Sequence, residues 1–537
     1  MKTKFFIVLL LFISLLGNAQ QKENFGLYTD RDLYVSGETL LLKLFAPLND
    51  QAGIVHIDLI SCGGKTITGI ILEITDHQAN GAVYLPDSLS SGSYILRTST
   101  RSDKLQTVRE IYVANRFAGM PESNSVSRIG RATPVAETEM GNSPITGLEE
   151  HYKRREKVTA SIHLADDLLA KTEGNVHVSV SKTAPGYNGG TFCISAKPTT
   201  DQLIEKDGII LEGVVTDLKT AAPFKNSVVM LSIPGTTPGF NYYITGDDGR
   251  FFFKLKKYYG KIPVVLQCYD KARTRLLKIS LVDSESLRSG FPAFETSTFP
   301  TEARKEVAKN IEAVTIRKIF NQQEIITLPA PKPQADAYPF YGIPTNTVDP
   351  KLFIDLPDFN EISHELLPGV KFRTYNRIPT IEVLSASLHN YFNEPPLVLL
   401  DGIPIQDLNI IKNLGSKKID KVEICLEERH FGDLSFAGVV AIFSPKADDS
   451  LVPESKDLIK LTIEAIQAQT VLNSPSEQLP SEPDLRQVLL WTPSLKPAQT
   501  ITLNFRASDI KGVYKLVLRG KTKDGSLFFK EQSFEVN

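Results

Sequence analysis

Cysteine, tryptophan, methionine and histidine are scarce here, at 4, 1, 4 and 8 of 537 residues. Cys62, Cys193, Cys268 and Cys425 lie far apart with no C-x-x-C spacing, which argues against structural zinc and against a disulfide framework. The simplest role for each is a small buried hydrophobe, and Cys193 with Cys268 is the only pair placed to share a module. No His has a Glu three residues on, and "SHELLPG" puts Pro368 where H-E-x-x-H needs its second His, so His364 and Glu365 lack the other imidazole of a zincin helix. Neither a G-x-S-x-G elbow nor a P-loop occurs. The expectation is therefore no enzyme, no catalytic residues, no cofactor and no metal.

Excess charge is lacking too. Lys and Arg number 60 against 62 Asp and Glu, a formal net charge of -2, which gives nucleic acid nothing to bind. Past the first sixteen positions no stretch approaches about 18 uninterrupted apolar residues, so the mature chain is expected to have no transmembrane segment.

The first residues, "MKTKFFIVLLLFISLLGNAQ", combine Lys2 and Lys4, an apolar run at 5–16, and Gly17 and Ala19 around Asn18. That is the layout of a secretory signal peptide over 1–19. A run of twelve residues rises only about 18 Å as helix, short of a hydrocarbon core of about 30 Å. Gln20, not Cys, stands immediately after the cleavage point, so no N-terminal lipid anchor is suggested. The reading is an exported protein, and the domain resemblances described below imply that it is periplasmic or associated with the outer membrane.

With 42% hydrophobic and 23% charged residues, 34 Gly and 32 Pro, the composition is globular and turn-rich. A chain this long exceeds one hydrophobic core, so several modules are expected. Residues 22–116 alternate in short apolar runs ("TLLLKLFA", "IVHIDLIS", "SYILRTST") parted by turn residues, the pattern of a β-sandwich. Through Tyr28, Asp30, Arg31, Tyr34, Gly37 and Glu38, then Gly81, Leu85, Pro86, Leu89, Gly92 and Tyr94, this stretch resembles macroglobulin-type sandwiches. The charged set Asp30, Arg31, Asp32 and Glu38 is read as a hydrogen-bonded start to a strand, with Arg31 paired to a carboxylate, rather than as an ion site.

Polar, aperiodic residues 117–147 are expected to be a linker, and 148–205 a second sandwich. Residues 206–283 resemble carboxypeptidase regulatory-like sandwiches through Gly213, Val215, Asp217, Pro223, Val228, Thr245, Asp248, Gly249 and Phe251, with Asp248-Gly249 closing a hairpin rather than binding calcium. Residues 284–346 combine an amphipathic helix over 301–323, with Ala303, Val307, Ile311 and Val314 at three- and four-residue spacing, and a Pro-rich linker.

Residues 347–447 carry P-L-x-x-L-D-G-x-P, then I-x-x-V-x-I and G-x-x-x-x-x-G-V-V-x-I, and resemble the plug domain of TonB-dependent outer-membrane receptors. The motif positions Asp401, Gly402, Pro404, Gly432 and Gly438 are read as structural or docking residues, with Asp401 hydrogen-bonding its own backbone in a turn. A receptor barrel of about 22 strands would need more than about 200 further residues. Residues 448–537 suggest instead a single immunoglobulin-like sandwich. The fold class expected is mainly β: immunoglobulin- or macroglobulin-like sandwiches in series plus one α+β plug-like domain. This domain set resembles exported bacterial scaffold or binding proteins, which implies a non-enzymatic role and an envelope or outer-membrane protein as partner. The alternative is a macroglobulin-type protease inhibitor. It would act without a thioester, since Cys62 in "SCGGKT" has no Glu-Gln after it, and its bait would lie in 121–147 or 328–350.

Overall fold

The computed structural model describes residues 25–48, 52–101, 105–118, 125–130, 132–141, 145–195, 203–270, 275–282, 294–322, 325–330, 338–473 and 482–537. The signal-peptide reading of 1–19 lies outside them. The architecture is mainly β, built as several packed sheets with few helices, as the alternating runs require. The chain divides into two compact units, one of residues 1–207, 284–330 and 466–537, the other of 208–283 and 331–465.

The first unit opens with a sandwich. A sheet of Gly26–Thr29, Thr39–Phe45 and Gln78–Tyr84 faces a second that contains Ile54–Ser61, Thr66–Glu73, Gly92–Ser99 and Leu105–Ala114. Period-two alternation decides what lies between: Leu40, Leu42 and Leu44 from one sheet meet Val55, Ile57, Leu59, Leu96 and Ile111 from the other, all buried. Tyr94 donates its hydroxyl to the Ser90 carbonyl four residues upstream at 2.8 Å. Tyr514 does the same to Ile510 at 3.0 Å, so each sandwich of this unit has a tyrosine pinned back onto its own corner.

The other sandwich corrects the expected domain series. Residues 148–205 and 448–537 do not form two beads: Thr172–Lys182 lies between Val488–Leu495 and Gly512–Thr522 in one sheet, and Lys157–His163 pairs with Thr500–Arg506 in the facing one. Val158, Ala160, Ile162, Val176, Val178 and Val180 share one core with Leu503, Phe505, Leu516, Leu518 and Phe534. Each half offers an apolar face that only the other covers.

The expected linker at 117–147 is likewise built into sheets. Ser125–Ile129 pairs with Phe294–Thr298, Thr133–Pro134 with Thr191–Ser195, Thr138–Glu139 with Leu527–Val536, and Ile145–Thr146 with Lys157–His163. These strands are two to five residues long, too short to show a period. The helix runs Thr301–Ile319 and buries Ala303 and Val307 against Leu33, Tyr112 and Phe299.

The second unit joins a sandwich built on 209–281 to an α+β module over 346–443. Ile209–Asp217 pairs with Arg250–Leu255 and Leu277–Leu281, and Ser227–Ile233 pairs with Gly239–Ile244 and Lys261–Asp270. The edge of the latter sheet is completed by Leu458–Glu464, which comes after the module in sequence, so the sandwich extends beyond 206–283. Gly249 (φ 68°) turns the chain from one sheet to the other, so Asp248-Gly249 closes a sheet-to-sheet corner rather than a hairpin.

The module is α+β. Its sheet runs Asn346–Val348, Lys421–Cys425, Val439–Phe443, Leu397–Leu400, Ile403–Pro404, with Leu397–Leu400 parallel to Val439–Phe443. Asp358 starts the helix Phe359–Leu366 by accepting from the Glu361 backbone N–H at 3.0 Å. Phe359 and Ile362 from that helix pack with Val398, Leu400, Val440 and Ile442.

Candidate functional site

In the first unit, chemistry concentrates around Glu38. Arg31 pairs with Asp30 at 3.0 Å and Glu38 at 3.3 Å, and also donates to the Gln487 Oε1 at 2.6 Å. Arg31 is thus the paired strand-start residue read from sequence, while Asp32 turns away to Arg109 at 2.5 Å. What the sequence did not reveal is Arg317, which reaches Glu38 at 2.7 Å from the last turn of the helix. The signal was there in the spacing: Glu306, Asn310 and Arg317 fall on the helix face that carries Ala303 and Val307, and all are buried. Glu306 pairs with Lys182 on the same face. Burial works to raise the Glu38 carboxyl, but the Arg31 and Arg317 guanidiniums outweigh it and hold it below its usual range. Asp30, with one guanidinium beside it, is raised by burial instead.

A cleft of about 600 Å³ opens over this cluster. Gly37, Glu38 and Tyr84 form one wall, Arg317, Lys318 and Asn321 the next, and the strand Ile325–Thr327 the third. Gly37 (φ 83°) is required here: a Cβ on it would stand 2.2 Å from Asp87 Oδ1 and 2.7 Å from Lys318 Nζ.

A second group of buried titratable residues has no carboxylate partner among the described residues. Lys43, fully buried, donates to Gln78 Oε1 at 2.6 Å, and burial lowers its amine to about 7. His177 is buried against Trp491, with ring centroids 4.3 Å apart, and its Nδ1 lies 3.2 Å from the Thr492 carbonyl oxygen, which accepts. Burial, then the Lys43 and Arg519 charges, push its imidazole well below the usual range.

In the second unit the five motif residues take structural positions. Asp401 (φ 53°) and Gly402 (φ 86°) form the two-residue turn between Leu400 and Ile403, the conformation a tight hairpin demands. Asp401 does not bond its own turn. Its Oδ1 accepts from the Ser444 backbone N–H at 2.7 Å, tying the hairpin to the end of the Val439–Phe443 strand. Its Oδ2 is buried without a hydrogen bond, and burial raises the carboxyl. Pro404 pairs across the hairpin with Leu399. Gly432 (φ 53°) sits where a Cβ would be 2.1 Å from the Tyr242 hydroxyl, and Gly438 (φ 90°) is held between Cys425 O and Val383. The hairpin around Gly432 brings Phe431 to Phe240 and Phe340, which stack at 4.7 Å, so sandwich and module share an aromatic seam.

The four cysteines are free: Cys62 is exposed, Cys193 half-buried, and Cys268 and Cys425 buried. His364 is exposed and bonds Glu365 at 2.8 Å. Among the described residues no three His, Cys, Asp or Glu gather as a metal site, and no helix is long and apolar enough to cross a membrane.

No family model matches the chain, and none of the curated proteins compared with it does. Among solved structures it is similar to trypsin-activated alpha-2-macroglobulin from Escherichia coli, at 10% identity over 96% of this chain and 23% of that one, with a TM-score of 0.16. Salmonella alpha-2-macroglobulin reacted with methylamine matches at 10% identity over 96% and 39%, TM-score 0.22. Dimeric latent PorU from Porphyromonas gingivalis matches at 10% identity over 48% and 34%, TM-score 0.16. The chain spans less than half the length of each of these proteins.

Proposed function

We propose that this chain is an exported, non-enzymatic scaffold of the bacterial cell envelope that docks to an outer-membrane protein through its 347–447 module. The observation that carries this reading is where apolar surface remains uncovered. Six of the eighteen exposed large apolar side chains among the described residues fall within 352–388 of that module, a concentration that single scattered residues would not produce. Leu352, Phe353 and Ile354 are consecutive and 79%, 56% and 74% exposed. Tyr375 and Ile378 flank the turn of a hairpin at 74% and 65%. The plug-like motif order and the signal-peptide layout of 1–19 add to it. Of the described strands after 447, five complete sandwiches and Thr470–Leu472 pairs with Ile325–Thr327. The inhibitor alternative is less favoured, because 125–129, 133–134, 138–139 and 145–146, within its first bait candidate, are paired into sheets.

The test is in-cell crosslinking of a chain in which Leu352, Phe353, Ile354, Tyr375 and Ile378 are all changed to Ser. These positions are exposed, so the melting temperature should stay within about a degree or two of the parent. The expected result is loss of the crosslinked envelope partner. Recovery of the same partner at the same yield would overturn the proposal.

A further inference from the structure

Strand edges in the first unit are not treated alike. The outer edge of Gln78–Tyr84 is closed by a side chain: Gln467 accepts from the Ala82 backbone N–H at 2.9 Å and donates to the Ala82 carbonyl at 2.7 Å, standing in for a neighbouring strand. That is the blunting an unpaired edge needs. Among the described residues, the strand Ile325–Thr327 has no such cover. It pairs there with Thr470–Leu472 alone, in a two-stranded sheet. The Leu328 N–H bonds the Gln469 carbonyl, and antiparallel pairing alternates, so Ile326 bonds toward Thr470–Leu472 while Ile325 and Thr327 turn their N–H and C=O groups the other way. All three residues line the cleft of about 600 Å³.

Among the described residues that line the cleft, Arg317 and Lys318 stand against the single carboxylate of Glu38. Asp30 and Glu38 are matched by Arg31 and Arg317. Asp87 is held by Arg116, whose two nitrogens lie 2.8 and 3.0 Å away, so Lys318, 3.8 Å from the same carboxylate, is a surplus positive charge on the cleft wall. Tyr84, 51% exposed, and Ile326, 40% exposed, supply apolar surface to the cleft lining.

We propose that this cleft binds an extended acidic peptide segment of a partner protein, which adds as a strand to the free edge of Ile325–Thr327 and sets a carboxylate against Lys318. Main-chain bonds to Ile325 and Thr327 supply the affinity, and Lys318 with the Tyr84 ring selects the side chains, the division of labour usual in strand addition. This site is independent of the docking proposed for the 347–447 module.

The experiment is fluorescence anisotropy with the full mature chain and a labelled octapeptide of alternating Val and Glu, against one of alternating Val and Lys. The acidic probe should bind saturably and the basic one should not. Thr327→Pro removes an N–H that points away from Thr470–Leu472 and leaves the bonds made by Ile326 and Leu328 intact, so the fold should persist and affinity should fall about tenfold or more. Lys318→Glu should weaken the acidic probe to a similar degree, and Lys318→Ala, which changes only a partly exposed side chain, serves if that variant is unstable. Absence of saturable binding of the acidic probe, equal binding of both probes, or affinity unchanged in Thr327→Pro and in the Lys318 variant would overturn the proposal.

Discussion

Arg317 and Glu38, 279 positions apart in sequence, meet at 2.7 Å with both side chains buried. The contact fastens the end of the Thr301–Ile319 helix to the first sandwich, at the point where Arg31 and Asp30 are already paired. Among the described residues two anions and two cations are enclosed together here, so this set is neutral as a whole and not as parts.

That balance sets the energetics. Arg317→Met leaves one buried negative charge uncompensated and should cost roughly 3 kcal/mol or more in chemical denaturation of the first unit. Adding Glu38→Gln leaves the Asp30–Arg31 pair and should restore much of that loss, giving a strongly non-additive double-mutant cycle. An additive result would mean the two charges do not interact in the folded chain.

Lys43 sets a pH dependence. Its folded amine sits at about 7, against about 10.4 for a free lysine, so between those values the unfolded chain holds the extra proton. Stability then rises as pH rises through that window, by up to about 1.4 kcal/mol per pH unit, and the penalty is full below about pH 7. Denaturation midpoints at about pH 7, 8 and 9, spanning that window, should show this rise in the parent and a flatter profile in Lys43→Met.

Asp401 has the opposite sign. Burial raises its carboxyl, so the folded chain holds that proton more tightly, and the group's contribution falls as pH rises from about 4 through its folded value. Asp401→Asn keeps an oxygen for the Ser444 N–H and should remove that part of the pH profile of the second unit. Gly402→Ala meets both a φ of 86° and Pro238 Cβ at 2.1 Å, and should cost about 1–3 kcal/mol or more by the same measurement.

Legibility tracks the range of the interaction. The strands at Thr39–Phe45 and Ile54–Ser61 alternate in sequence because they alternate in space, and the Asp401-Gly402 turn is local chemistry. The helix face can be read from Ala303, Val307 and Val314, yet Arg317 beside them gives no hint that its partner is Glu38, since a charge names no address. The segments at 125–146 read as linker because strands this short are defined by their neighbours alone. Leu458–Glu464 reads as part of a terminal bead for a related reason: sequence order favours neighbours, and this strand returns across the whole module to pair with Lys261–Asp270.

The shared sandwich gives the last prediction. If residues 448–537 were an independent bead, a chain ending at 482 would lose it and keep the rest. Thr172–Lys182, however, lies between Val488–Leu495 and Gly512–Thr522, and Lys157–His163 pairs along its length with Thr500–Arg506. Truncation would therefore strip two neighbours from the first strand and one from the second, and uncover Val158, Ile162, Val176, Val178 and Val180 together. Thr172–Lys182 would have both edges open and Lys157–His163 only Ile145–Thr146 beside it, and strands do not persist in that state with one face bared. Limited proteolysis of the truncated chain should cut within 148–182 at protease levels that leave the parent intact there. The second unit, residues 208–283 and 331–465, takes no strand from the removed segment, and its fragments should keep their resistance. Protection of 148–182 in the truncated chain would show that this half folds without its C-terminal partner strands.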